Sequence, residues 1–189
     1  MQKRPILGIT MGDPFGNGPE ITAQALADPE VYKRCRPLVV GDASSMAYAL
    51  KVAEKIHGIR LELHPIQQVE QAWFRLDMGK VPEDSIPNSL TQPEPAPFGV
   101  GACALGGEAS FCYVQKVIEL AMQGQVDATV TNAISKEAIN LAGHHYSGHT
   151  EIYAHGTGFG HAGNGHANPL SLQNAMDYAI ALANDRNKP

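Results

Sequence analysis

Residues 5–20 read Pro5-Ile6-Leu7-Gly8-Ile9-Thr10-Met11-Gly12-Asp13-Pro14-Phe15-Gly16-Asn17-Gly18-Pro19-Glu20. A short apolar run suited to a buried strand passes into a loop rich in glycine and proline. A helical pattern then begins near Glu20, with Ile21, Ala25 and Leu26 on one side. The same pattern recurs downstream. Residues 37–42 read as a second strand, followed by a helix over about 44–57 that Ser44 or Ser45 caps and Gly58 ends. Further strands are expected at 61–66 and 127–132. A long helix is expected over about 106–123, with Phe111, Val114, Val117, Ile118 and Ala121 marking its apolar face. Shorter ones are expected over about 135–142, ended by Gly143, and over about 170–183. Strands alternating with helices predict an α/β fold, a three-layer α/β/α sandwich with a largely parallel sheet.

A length of 189 residues fits one domain. With 43% hydrophobic and 17% charged residues the chain builds a core, which excludes a disordered or low-complexity protein. The net charge of −5 leaves no basic field to hold a polyanion, so nucleic acid is not an expected partner. No apolar run approaches the ~20 residues that span a bilayer, and residues 1–5 lead into no signal-peptide pattern, so no membrane partner is expected either. Cys35, Cys103 and Cys112 are scattered and lack Cys-x-x-Cys spacing. A reduced cytoplasm is the expected setting, with these residues as small core or surface groups. Residues 80–99 carry five prolines (82, 87, 93, 95 and 97) and little apolar periodicity, the pattern of an ordered surface excursion or a mobile arm.

Three stretches are candidates for chemistry. The loop from Thr10 to Glu20 lets the backbone pass close to a ligand, and the helix behind it offers unpaired N–H groups to an anion. Its glycines are spaced G-x3-G-x-G rather than in the dinucleotide pattern, and from the glycines alone a tight strand-to-helix turn is the favoured account of them. Thr131-Asn132-Ala133-Ile134-Ser135-Lys136-Glu137 follows a predicted strand at the end where open α/β sheets place ligands. Lys136 there is either a point charge for phosphate or carboxylate, or a solvated residue behind a serine cap. Third, six of the eight histidines (144, 145, 149, 155, 161 and 166) fall within 23 residues. His145 and His149 are four apart, as zinc ligands can be. Ser147 and Gly148 interrupt any helix between them, so loop histidines, one or two touching a ligand, are the expected outcome rather than a metal site.

Taken together, Ile9-Thr10-Met11-Gly12-Asp13-Pro14 with Gly16 and Gly18-Pro19-Glu20, Lys136-Glu137-Ala138-Ile139, Ala142-Gly143 and Ser147-Gly148-His149-Thr150-Glu151 resemble the 4-hydroxythreonine-4-phosphate dehydrogenase (PdxA) family. The Thr131–Lys136 block is most similar to the branch acting on 4-phospho-threonate and erythronate. Phe15, Asn17 and Ser135 depart from the family pattern. The resemblance covers residues 1–154. It then jumps to a motif near the family's C-terminus, carried here by His155-Gly156-Thr157-Gly158-Phe159, Ala162-Gly163, Gly165 and Ala167-Asn168. Family members run to about 330 residues, so roughly 140, a domain's worth, are expected to be missing between the two blocks.

The resemblance implies an isocitrate/isopropylmalate dehydrogenase-like fold of which this chain forms the first domain only. That domain would be built from both chain ends, 1–154 and 155–189, with the second domain absent. It implies NAD-dependent, divalent-metal-dependent oxidation, with decarboxylation, of a phosphorylated four-carbon hydroxy acid, a step belonging to pyridoxine biosynthesis or carbohydrate metabolism. It also implies a homodimer. His149 and Thr150 carry over as substrate contacts, with Lys136 beside them. The family's three metal-binding histidines lie in Thr-Thr-His, Asn-Pro-His-Ala-Gly-Glu and Tyr-His-Asp-Gln strings that do not occur here, so the metal site is expected to be absent. The chain by itself is therefore expected to show no dehydrogenase activity and at most millimolar affinity for the substrate (about −4 kcal/mol). The alternative function is an inactive module that binds a phosphorylated ligand or forms a dimer.

Overall fold

Side-chain alternation along the first strand decides how the sheet is covered. Leu7 and Ile9 are fully buried on one face, while a Cβ added to Gly8 between them would lie 2.6 Å from Val117 on the other. Both faces are therefore packed, as a parallel sheet requires. The computed structural model describes residues 4–66, 69, 77–80, 101–144 and 168–186. Its elements in chain order are β1 (Ile6–Thr10), α1 (Gly18–Ala25), α2 (Pro29–Arg34), β2 (Arg36–Gly41), α3 (Ala43–His57), β3 (His64–Ile66), β4 (Asp77–Lys80), α4 (Ala104–Met122), β5 (Ala128–Val130), α5 (Lys136–Leu141) and α6 (Leu170–Arg186).

The described strands form one sheet in the order β3-β4-β2-β1-β5, and every pairing is parallel. Ile9 stands opposite Val39 on one side and Val130 on the other. The chain works outward from β1 to β2 and beyond, then returns to place β5 on the far side of β1. Right-handed crossovers put α1–α3 and α4 on opposite faces under that order. The packing agrees: α1 lies on α3, α4 on β1, β2 and β5, and α5 on α4. Helix α6 returns to β1, β5 and α1. The expected α/β/α layering with a parallel sheet is present.

Several details differ from expectation. Asp42, rather than Ser44 or Ser45, caps α3: its carboxylate accepts from Ser45 N at 2.6 Å, and the helix stops at Gly58 with φ 69°. Helix α4 is rotated from the expected face. Ile118 is 48% exposed, while Gly106, Ala109, Tyr113, Val117 and Leu120 form the buried stripe. Small residues at 106, 107, 109 and 110 let the helix sit close to its neighbours, and that proximity outweighs the pattern of large apolar side chains. Two elements were not anticipated. Helix α2 starts at Pro29 behind Asp28, whose carboxylate accepts from Glu30 N at 2.9 Å. Strand β4 consists of Asp77-Met78-Gly79-Lys80 and is inserted between β2 and β3. The proline-rich stretch from 81 to 100 lies outside the described residues.

Candidate functional site

Strands β1 and β5 are parallel neighbours, yet the chain leaves β1 for α1 in one helical layer and β5 for α5 in the other. This is the switch point of the sheet, where open α/β folds bind ligands beyond the carboxyl ends of the strands. Two loops, 11–17 and 131–135, meet there and are tied together. Asp13 N donates to Ala133 O at 3.0 Å, and Asn132 N donates to Thr10 Oγ1 at 3.1 Å. The buried Asn132 amide donates to Gly18 O at 2.7 Å and Thr22 Oγ1 at 2.8 Å, and its oxygen accepts from Ala133 N at 2.7 Å. Gly12 has φ +83°, and a Cβ there would sit 2.3 Å from Ala133 O. Its backbone freedom and its missing side chain both serve the contact between the loops.

The N-terminus of α1 does not match the anion site anticipated from the sequence. Pro19 has no N–H to offer, and Glu20 in the first turn brings a carboxylate that is 1% exposed. The glycines of this loop are accounted for by the tight turn and by its contact with the 131–135 loop.

Asp13 is the unusual group at this junction. It is fully buried. Oδ1 accepts from Phe15 N at 2.9 Å, whereas Oδ2 is the buried side-chain oxygen among the described residues that has no hydrogen-bond partner. Burial pushes its carboxyl up to about 6, opposed by the Phe15 N–H. The first turn of α4 lies against it: a Cβ at Gly106 would meet Asp13 Oδ1 at 2.6 Å and the Phe15 ring at 2.9 Å. Further along α4, the buried Tyr113 hydroxyl is hydrogen-bonded to the backbone of Asp42. It is held well above its usual range by burial, then by Asp42, Cys112 and Asp13.

Of the residues singled out in the sequence, Lys136 is exposed at the first position of α5, behind Ser135, whose hydroxyl accepts from Ala138 N at 3.1 Å. His149 and Thr150 lie outside the described residues, as do His145, His155, His161 and His166. His144 is described and is not a free loop histidine. Its Nε2 is 2.6 Å from Glu108 Oε2, and its ring stacks on Phe111 with centroids 3.8 Å apart. Glu108 also accepts from Cys112 Sγ at 3.7 Å, and burial together with Glu108 pushes that thiol up to about 11. Among the described residues no group of three or more His, Cys, Asp or Glu could hold a metal ion, and no helix is long and apolar enough to cross a membrane. Sequence reasoning did not single out Glu108 or the individual roles of Asp13 and Asn132. Asn132 is the last residue of an expected strand, and its amide bonds Gly18 and Thr22, more than a hundred residues away in the chain, a tie that spacing does not signal.

Comparison with known proteins places the chain. Residues 33–155 match the family described as pyridoxal phosphate biosynthetic protein PdxA. A D-threonate 4-phosphate dehydrogenase of Cupriavidus necator is 38% identical over 160 residues, 82% of this chain and 43% of that protein. A 4-hydroxythreonine-4-phosphate dehydrogenase of Trichlorobacter lovleyi is 39% identical over 155 residues, 80% of this chain and 43% of that protein. The crystal structure of a 4-hydroxythreonine-4-phosphate dehydrogenase from Burkholderia phymatum superposes with a TM-score of 0.66 at 35% identity, covering 82% of this chain and 44% of that one. The chain thus spans less than half the length of the curated relatives it matches. The family match over residues 33–155 and the identity to these relatives lead to one conclusion: this chain belongs to the PdxA family.

Proposed function

We propose that the chain supplies substrate-contacting residues for oxidation of a phosphorylated four-carbon hydroxy acid, such as D-threonate 4-phosphate or 4-hydroxythreonine 4-phosphate, in a cytoplasmic, homodimeric dehydrogenase. The observation that carries this reading is the junction of the two switch-point loops. It joins the Gly12-Asp13-Pro14 loop to the strand that leads into Lys136. In this reading the Lys136 ammonium meets the substrate phosphate as a point charge, and His149 and Thr150 add donors to it.

When bound, NAD would accept the hydride and a divalent metal would polarise the substrate oxygen. The described residues do not themselves fit either group. They bring no set of three metal-ligating side chains together, and Pro19 and Glu20 deny α1 a dinucleotide phosphate. The part played by this chain's own residues is to bind and orient the substrate. A second reading, a module that binds a phosphorylated ligand or dimerises without turnover, is favoured by the sequence, in which the family's three histidine strings do not occur.

The test is NADH formation by the purified 189-residue chain with D-threonate 4-phosphate and added Mg²⁺, Mn²⁺ or Zn²⁺, alongside calorimetric titration of the same compound. No turnover and millimolar binding, weakened by Lys136→Ala and by His149→Ala, is the expected result. Turnover would reject the inactive module. Micromolar binding untouched by His149→Ala would reject the assigned contacts.

A further inference from the structure

The chain between α3 and β3 carries the pattern of a strand without belonging to one. Along Ile59-Arg60-Leu61-Glu62-Leu63 the three apolar residues are half-buried and pack on the core, while Arg60 and Glu62 between them are exposed. The segment runs directly into β3, the outermost of the described strands. Pro65 at the centre of β3 has no N–H, so the bonds of β3 to β4 come from His64 and Ile66. That parity turns the backbone groups of the odd-numbered residues outward, and among the described residues Leu61 and Leu63 make no backbone hydrogen bond. Beside the segment opens a groove of about 660 Å³, walled by Ala47 and Leu50 of α3 and by Tyr32 of α2.

We propose that residues 59–63 are a contact surface for a second copy of this chain, the two segments pairing antiparallel about Leu61. Edge-to-edge addition of this kind takes its affinity from main-chain bonds and its specificity from alternate side chains. The order of charges selects the occupant and the register. With Leu61 opposite Leu61, Arg60 of each copy stands across from Glu62 of the other on the exposed face. On the other face Ile59 meets Leu63, and the apolar side chains of each copy reach toward the groove of the other. Sliding the register by two residues sets Arg60 on Arg60 or Glu62 on Glu62, and a one-residue slip turns the apolar face to water. Parallel pairing in register sets like charges together at both positions. Arg60 meets Glu54 at 3.1 Å with side chains 85% and 54% exposed, a pair too solvated to oppose the exchange. Pro65 cannot donate to a further strand, which keeps the pairing short. The contact is isologous, so it closes at two copies. It does not rest on the substrate reading above.

The experiment is sedimentation equilibrium of the full 189-residue chain, its Arg60→Glu and Glu62→Arg variants, and the variant carrying both changes. Both side chains are exposed, so folding should persist, with circular dichroism as the check. The parent mass should rise from 20.2 kDa toward twice that value with concentration. Each single reversal should raise the dissociation constant by about tenfold or more, and the double variant should return close to the parent. A general effect of net charge would instead move the two single variants in opposite directions and would overturn the proposal. Amide exchange over residues 60–63 should slow on association in the parent and in the double variant; unchanged exchange there would reject this surface. A parent that stays at 20.2 kDa up to about 1 mM would also overturn it. Association indifferent to both single reversals would reject this surface while leaving the homodimer of the substrate reading to another face. Failure of the double variant to recover would show that Arg60 and Glu62 do not pair, and the proposal would fall.

Discussion

Two carboxyl groups meet the first turn of α4, and the molecule treats them in opposite ways. Asp13 lies against Gly106, fully buried, with one oxygen unpaired. Glu108, two residues further on, is about a third exposed and has both oxygens engaged, one with His144 and one with Cys112. Between them Gly107 comes so close to α5 that a Cβ would fall 1.9 Å from Ala138 O. One helical turn thus holds a junction that is satisfied within the fold and a junction that is not. The first behaves as part of the scaffold, locking α5 and the start of the following segment to α4. The second bears the cost of a buried carboxyl oxygen without a hydrogen-bond partner among the described residues.

The comparison is broken most completely at the residue between the two junctions. Gly107→Ala places a methyl group inside the Ala138 carbonyl, so α4 and α5 must separate. A loss of more than ~3 kcal/mol in urea-denaturation stability is expected, with both junctions disturbed. A loss below ~1 kcal/mol would mean that the helices are not in contact as described.

Asp13→Asn probes the unsatisfied side and should stabilise the protein in a pH-dependent manner. The native carboxyl titrates at about 6 against an ordinary 3.8, so ionisation opposes folding. Stability linked to this group is complete below the unfolded value and is lost as pH rises through 6. Near pH 8 the variant should exceed the parent by up to about 3 kcal/mol, and near pH 4 the difference should largely vanish. Thermal melts of both proteins across this range check the sign. A difference that does not change with pH would show that Asp13 carries no raised titration.

On the satisfied side, a double-mutant cycle with Glu108→Ala and His144→Ala should return a coupling of about 1 kcal/mol, since the pair is only partly shielded from water. Zero coupling would remove the contrast between the two carboxyls. The smallest effect belongs to an ion pair outside both junctions. Arg34 and Asp177 join α2 to α6 with side chains 44% and 53% exposed. Removing the pair should alter stability by less than ~0.5 kcal/mol, lost in high salt.

Local sequence was enough to place β1, β2, α3, β5 and α5, because each carries its own signals. Apolar runs mark the strands, Ser135 caps one helix, and Gly58 ends another where a left-handed residue is needed. Helix α2 was not read from the sequence, although Asp28-Pro29-Glu30 is a cap followed by a proline in the first turn; its six-residue length hid it. Strand β4 was not legible. Asp, Gly and Lys are poor strand formers, and this segment is a strand because β2 and β3 hydrogen-bond to it from both sides.

The candidate site divides along the same line. Chain order and residue type were sufficient to bring the Gly12-Asp13-Pro14 loop and the Asn132–Lys136 segment to the carboxyl end of a parallel sheet, and to name Lys136, His149 and Thr150 from resemblance. Only the folded chain distinguishes Asp13 from the other 18 acidic residues. Its burial and its unpaired oxygen come from parts far apart in sequence: Ala133 on the next loop and Gly106 on α4. A motif specifies which groups are available, whereas desolvation and hydrogen-bond satisfaction depend on what packs around them, and packing is set by the whole fold.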